Sequence, residues 1–245
     1  MDSTQQAFAD WRATAAYLYV LHLDPAQFAW EYLRRNPSYC RDWRDVQDPA
    51  RRWGLELAED PTRDSRTASP VWCSPRTGIT IVADSNPASA RFPFWDIPGN
   101  KRLCAGERGL YLAVRQPRRT MHLNLHPGYS IDQPFAYLIS AGTGCNTRCR
   151  AVQELSASYG TSPLCARAPR PSTTALNHMR MLQALDADAV GATHRSIAQI
   201  LVGADAVEKR WTPDGELRAR VRHWVRKARS LRDGDYRQFL ASDSE

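Results

Sequence analysis

The chain has 245 residues, 33 Lys+Arg against 26 Asp+Glu, a formal net charge of +7, and is 42% hydrophobic and 24% charged. That composition excludes a disordered or fibrous chain and suits one or two domains with real cores. No run approaches ~18 uninterrupted apolar residues, which excludes a transmembrane helix, and no membrane is expected among the partners.

The start, Met-Asp-Ser-Thr-Gln-Gln, lacks the basic-then-apolar plan of a signal peptide. The six cysteines (40, 73, 104, 145, 149, 165) therefore read as reduced thiols of a cytoplasmic protein. Only Lys101, Lys209 and Lys227 are lysines, so 30 of the basic residues are arginines. Arginine recognises phosphate bidentately, although a GC-rich genome produces the same bias. Residues 1–170 carry +5 and residues 171–245 carry +2, so the excess is spread along the chain.

The first ~60 residues read as helical. Leu18, Leu21 and Leu23 suggest an early helix. Asp24-Pro25 opens another, with Asp as cap and Pro in the first turn. Phe28, Ala29, Tyr32 and Leu33 form its apolar stripe, and Asn36-Pro37 ends it. Tyr39, Trp43 and Val46 suggest a second short helix. Residues 59–70 are polar and aperiodic, hence a linker or long loop. In 71–140, Ile79–Val82, Leu110–Val114, the alternating Met121–His126 and Phe135–Ile139 read as strands of a small antiparallel sheet. Residues 141–150 are ambiguous, and prolines 163, 169 and 171 break the chain after them. Leu176, Met179, Leu182 and Leu185 then mark a helix. Thr193 caps another that carries Ile197, Ala198, Ile200 and Leu201 and ends at Gly203. Thr212-Pro213 or Asp214 opens a longer helix to about Leu231.

The expected fold is α+β: an N-terminal helical segment (1–64), a central β-rich region (71–140) and a C-terminal helix-turn-helix-like domain (173–241). The last helix carries the functional signal. Wound at about 100° per residue, Leu217, Val221, Trp224, Val225, Ala228 and Leu231 occupy one sector. Beside them Arg218, Arg222, Arg226 and Arg229 line up, with Arg220, His223 and Lys227 on the far side. Residues 216–232 hold seven Lys/Arg against Glu216 alone. One docking face and one basic face suit a helix lying on a phosphate backbone or in a major groove. Stacked arginines without interleaved Glu also repel one another, which a merely solvated face has no reason to keep.

The preceding run, Thr193 to Gly203, resembles the first helix of a helix-turn-helix, with a small residue where two helices cross closely. Gly203 follows Ala198 by five positions rather than the common four, and Ala204 to Trp211 lengthen the connection. Either 205–211 or 216–232 is then the recognition helix. The expected DNA contacts are His194, Arg195, Arg218, Arg222, Arg226 and Arg229. Trp211 and Trp224 are assigned to packing.

Two segments resemble domains found together in proteobacterial transcriptional regulators, often encoded on integrative and conjugative elements. Phe28-Ala29-Trp30-Glu31-Tyr32-Leu33-Arg34-Arg35-Asn36-Pro37-Ser38-Tyr39 is similar to their short N-terminal regulator-like domain. Leu182–Ala187, His194–Ala198, Val207–Trp211, Leu217–Arg222 and Asp235–Leu240 are similar to their DNA-binding domain. Two-domain members are activators of excision and transfer, and members with the second domain alone can be antiactivators. The resemblance thus implies an activator acting on double-stranded DNA, with RNA polymerase, an antiactivator or a second protomer as protein partners. Asp235 departs from the pattern, where a second Gly is common, and 141–172 matches it least.

An enzyme is the main rival reading. The chain has no Gly-x-Ser-x-Gly, no phosphate loop and no His-Glu-x-x-His, so no catalytic residue and no cofactor is expected. His122 and His126 share a face of a strand-like run, and Cys145 and Cys149 are spaced within the zinc range. No second pair accompanies either, and no metal is expected. The third reading is an interaction module that keeps the fold without binding DNA.

Overall fold

A computed structural model of the chain describes residues 10–45, 50–73, 78–106, 109–116, 119–139, 141, 144–159 and 170–240. Val46, Pro163 and Pro169 lie outside them. A 3-10 helix (Thr14–His22) leads into α1 (Pro25–Leu33) and α2 (Pro37–Asp45). α1 begins with a capping box: the Asp24 carboxylate accepts from the Gln27 amide, and the Gln27 side chain accepts from the Asp24 amide. Asn36 ends α1 and caps α2, its Oδ1 accepting from the amides of Ser38 and Tyr39.

The expectation of helix to about residue 60 is corrected by β1 (Leu55–Leu57), which pairs antiparallel with β2 (Val71–Trp72) and buries Leu55 and Trp72. The intervening loop is not a free linker. Glu59 and Ser65 are each 2% exposed. The Ser65 amide donates to Glu31 Oε1 and the Trp30 indole donates to the Arg63 carbonyl.

The main sheet comprises β3 (Ile79–Ala83), β4 (Asn100–Gly106), β5 (Gly109–Gln116), β6 (Arg119–Leu125) and β7 (Phe135–Leu138) in the order β4-β5-β6-β3-β7. It is antiparallel except at β3/β6, which run parallel. The β4–β5–β6 meander is inserted after β3: β4 runs in the direction of β3, and the two reversals within the meander bring β6 back alongside β3 and parallel to it. Ile81, Leu112, Val114 and Leu123 on one face meet Phe92, Ile97 and Leu155 of α3 (Cys145–Ser158) in a core of their own. The sheet is tied to the helices by the Thr120 amide, which donates to Asp24 Oδ2 at 2.9 Å, and by an Arg102–Glu59 ion pair.

The C-terminal part is α4 (Thr173–Ala189), α5 (His194–Val202), α6 (Ala204–Arg210), α7 (Glu216–Asp233) and a 3-10 turn (Asp235–Phe239). These helices do not form a core by themselves. Trp30, Tyr32 and Leu33 of α1 share one hydrophobic cluster with Leu182 and Leu185 of α4 and with Val221, Trp224 and Leu231 of α7. α4 is buried at every position from Met181 to Ala187. A buried ionic network runs through this joint. Arg35 bonds Asp186 through Nε and Nη2 and Glu31 through Nη1, Arg34 also bonds Glu31, and the Tyr17 hydroxyl donates to Asp186. Burial opposes ionisation of Glu31, but Arg34 and Arg35 outweigh it and hold the carboxyl well below the usual range.

Candidate nucleic-acid interface

α7 docks through the sector its periodicity predicts: Leu217, Val221, Trp224, Val225, Ala228 and Leu231 are all buried. Its N-terminus carries no side-chain cap; Gly215 holds that position. The four arginines beside the docking sector differ in what they already hold. Arg218 is half-buried and donates to the Pro213 carbonyl at 2.9 Å. Arg229 forms a two-pronged ion pair with Asp188 at the end of α4, at 2.7 Å through both nitrogens. Those hydrogen bonds favour its charged form further still. Arg222 and Arg226 are exposed, four residues apart, and have no ion pair or side-chain hydrogen bond with the described residues.

On the far side Arg220 pairs with Glu216, which also reaches Arg210. His223 is exposed and Lys227 half-buried. Arg232 pairs with Asp233, while its carbonyl accepts from Asn36 Nδ2 at 2.9 Å. The partners Asp188 and Pro213 lie outside α7, so helical periodicity within 216–232 carried no sign of them.

α5 is capped by Thr193, whose hydroxyl accepts from the Ser196 amide, and it buries Ile197 and Ala198. Arg195 is exposed and His194 half-buried on its first turn. Residues 204–210 form a separate helix, α6, which abuts α5 at Gly203. The expected reason for a glycine there is corrected. A Cβ at Gly203 would meet nothing within 4 Å; the backbone φ of +108° is what calls for glycine. α6 buries only Val207 and sets Asp205 and Glu208 against Lys209 and Arg210, so it presents no net charge. Trp224 lies in the core and Trp211 packs against it, as the packing assignment requires.

The pairs weighed as metal ligands are placed differently from one another. His122 is buried in β6 with Nε2 unpartnered, and burial pushes its pKa down to about 4. His126 follows the strand, exposed, and its Nδ1 accepts from the Gly128 amide. Cys145 and Cys149 are free thiols one turn apart on α3, in hydrogen-bond contact with each other. Among the described residues no group of three or more His, Cys, Asp or Glu converges as a metal site. No helix there is long and apolar enough to cross a membrane.

Three segments match known protein-domain families. Residues 138–241 match "T6SS, Transcription factor, DNA binding domain". Residues 10–68 match "Proteobacterial transcriptional regulator-like domain". Residues 80–121 match a domain of unknown function, DUF7011. No curated protein matches the chain. The two regulatory matches support a DNA-binding transcription regulator, and neither description names a reaction. The DNA-binding match covers α5–α7 and all six expected contact residues, and it reaches back to include α3.

Proposed function

We propose that the chain is a transcriptional activator that grips duplex DNA with the outer face of α7, Arg222 and Arg226 being its principal phosphate contacts. The observation that carries this reading is the division of α7: its apolar sector is wholly docked, while two arginines one turn apart stay exposed and uncommitted. Arg195, with His194 beside it on the first turn of α5, supplies a second contact. The charge balance of α6 argues against it as the basic contact element and favours a helix-turn-helix-like unit in which α5, packed on both α6 and α7, supports α7. The pairing of a regulator-like segment with a DNA-binding one supports the activator over the antiactivator, and genes for excision and transfer of a mobile element are its proposed targets in the cytoplasm. The N-terminal helices and the sheet offer surfaces for RNA polymerase, an antiactivator or a second protomer.

Filter binding to fragments flanking its own gene, titrated against salt, tests the reading. Affinity is expected to fall steeply as salt rises, and Arg222→Ala and Arg226→Ala each to flatten the slope by about one unit. Absence of binding to any such fragment at low salt would leave the chain an interaction module.

A further inference from the structure

A cavity of about 360 Å³ lies between α4, α7 and the closing 3-10 turn. Its floor is apolar and aromatic. Met181, Trp224 and Leu231 are buried beneath it, and the rings of Phe239 and His178 stand 5.2 Å apart at one side. Its rim is polar: Thr174, Asn177, His223 and Gln238 are exposed there and Lys227 lines it, while burial and, after it, the Lys227 charge disfavour protonation of His178. None of these five rim side chains has a hydrogen bond or ion pair with the described residues, and no carboxylate lines the cavity. A larger cavity, about 580 Å³ between the first 3-10 helix and the sheet, differs on this point. Its arginines are already held, Arg66 by Asp64 and Arg115 by the Arg66 carbonyl.

The smaller cavity is within the range of small-molecule sites and has their make-up, apolar walls with a few convergent polar groups. One uncompensated ammonium in a partly desolvated site favours one negative charge, and neutral amides at the rim can orient it. A floor of aromatic rings favours a flat apolar body over an inorganic anion.

We propose that this cavity binds a small aromatic carboxylate, its ring against Phe239 and Trp224 and its carboxylate on Lys227, with Asn177 and Gln238 donating to the same oxygens. The proposal does not depend on DNA binding and is tested without DNA. The full chain is titrated with salicylate and with indole-3-acetate by calorimetry and by ligand-observed NMR. Saturable one-to-one binding is expected, about tenfold weaker in Lys227→Gln and in Phe239→Ala, and unchanged in Arg226→Gln, which leaves the cavity intact. Lys227→Gln changes a half-exposed side chain and keeps the test valid should Phe239→Ala fail to fold. No saturable binding at millimolar ligand overturns the site, as does undiminished binding by Lys227→Gln. Displacement of salicylate equally well by inorganic phosphate or acetate overturns the aromatic assignment. A loss of DNA salt slope in Lys227→Gln with salicylate binding untouched gives Lys227 to the nucleic acid instead.

Discussion

Arg35 and Asp186, 151 positions apart in sequence, meet in a buried two-pronged ion pair, Nε to Oδ1 at 2.7 Å and Nη2 to Oδ2 at 2.9 Å. Asp186 also accepts from the Tyr17 hydroxyl at 2.7 Å, and Arg35 also donates to the Glu31 carboxylate at 2.5 Å and its carbonyl at 2.8 Å. The pair therefore joins α1, inside the regulator-like match, to α4, inside the DNA-binding match. The two matched segments are one folding unit at this joint, because removing either one strands a buried charge of the other.

Asp186→Ala should accordingly destabilise the protein by about 3–5 kcal/mol, since it leaves the Arg35 guanidinium buried without its main partner. The measurement is the urea midpoint of the full chain, at unchanged m-value. A loss below about 1 kcal/mol would mean that water reaches Arg35 and that the joint is looser than its geometry.

How much of this was legible in the sequence depended on whether the physics was local. The docked face of α7 was readable because an amphipathic helix writes its burial every three or four residues, and the Asp24-Pro25 start because a cap acts within one turn. The joint was not readable. Glu31 on α1 and Arg35 just after it are charged and look like solvent-side positions, yet α1 is covered by the loop at 59–70 as well as by the helices, and Phe28 to Leu33 are all buried. β1 and β2 are three and two residues long, too short for alternation to show. β4, Asn-Lys-Arg-Leu-Cys-Ala-Gly, is a partly exposed edge strand with few β-branched or aromatic residues, so neither pattern nor propensity marks it. Within the candidate interface, the four-arginine stripe was visible, but the engagement of Arg229 and Arg218 was not, because Asp188 and Pro213 come from outside the helix.

Two buried histidines set a window of pH sensitivity. Burial pushes His122 down to about 4, and burial together with nearby Lys227 does the same to His178, whose Nδ1 meets the Tyr32 hydroxyl at 2.9 Å. The unfolded chain binds these protons near pH 6.5 and the folded chain only near 4. Stability is therefore complete above about pH 6.5 and falls as pH drops toward 4, by up to about 1.4 kcal/mol per pH unit for each ring. Denaturation midpoints between pH 7 and 4.5 should show the decline, and His122→Leu, which also removes an unpartnered buried nitrogen, should remove about half of it. An unchanged slope in that variant would show that His122 is already protonated in the fold.

Arg226 and Arg229 should separate function from stability although they sit three residues apart on one helix. Arg229 is spent on Asp188, a partly exposed pair, so Arg229→Ala should cost ~0.5–1 kcal/mol of stability and leave the DNA salt slope nearly unchanged. Arg226 holds no partner among the described residues, so Arg226→Ala should leave the melting temperature unchanged and flatten the slope by about one unit. Parallel thermal melts and salt titrations make the comparison. Equal slope changes for the two variants would mean that DNA draws Arg229 away from Asp188.

Gly203 closes α5 and opens α6 in a single residue, with φ +108° and ψ 143°. An L side chain rarely adopts that backbone, yet a Cβ there would meet nothing within 4 Å. The two facts separate strain from crowding. Gly203→Ala should cost about 1–3 kcal/mol through backbone conformation alone, with no loss of packing in the Ile197, Ala198 and Val207 core. Gly203→Asn tests the cause, because φ +108° with ψ 143° lies outside the left-handed helical region that Asn tolerates, so Asn should cost about as much as Ala despite its larger side chain. If crowding were the reason for glycine, Asn would be clearly the worse of the two. Because α5 packs against both α6 and α7, the Ala variant should also weaken DNA binding at every salt concentration without changing the slope. That pattern belongs to a misplaced helix rather than to a lost phosphate contact.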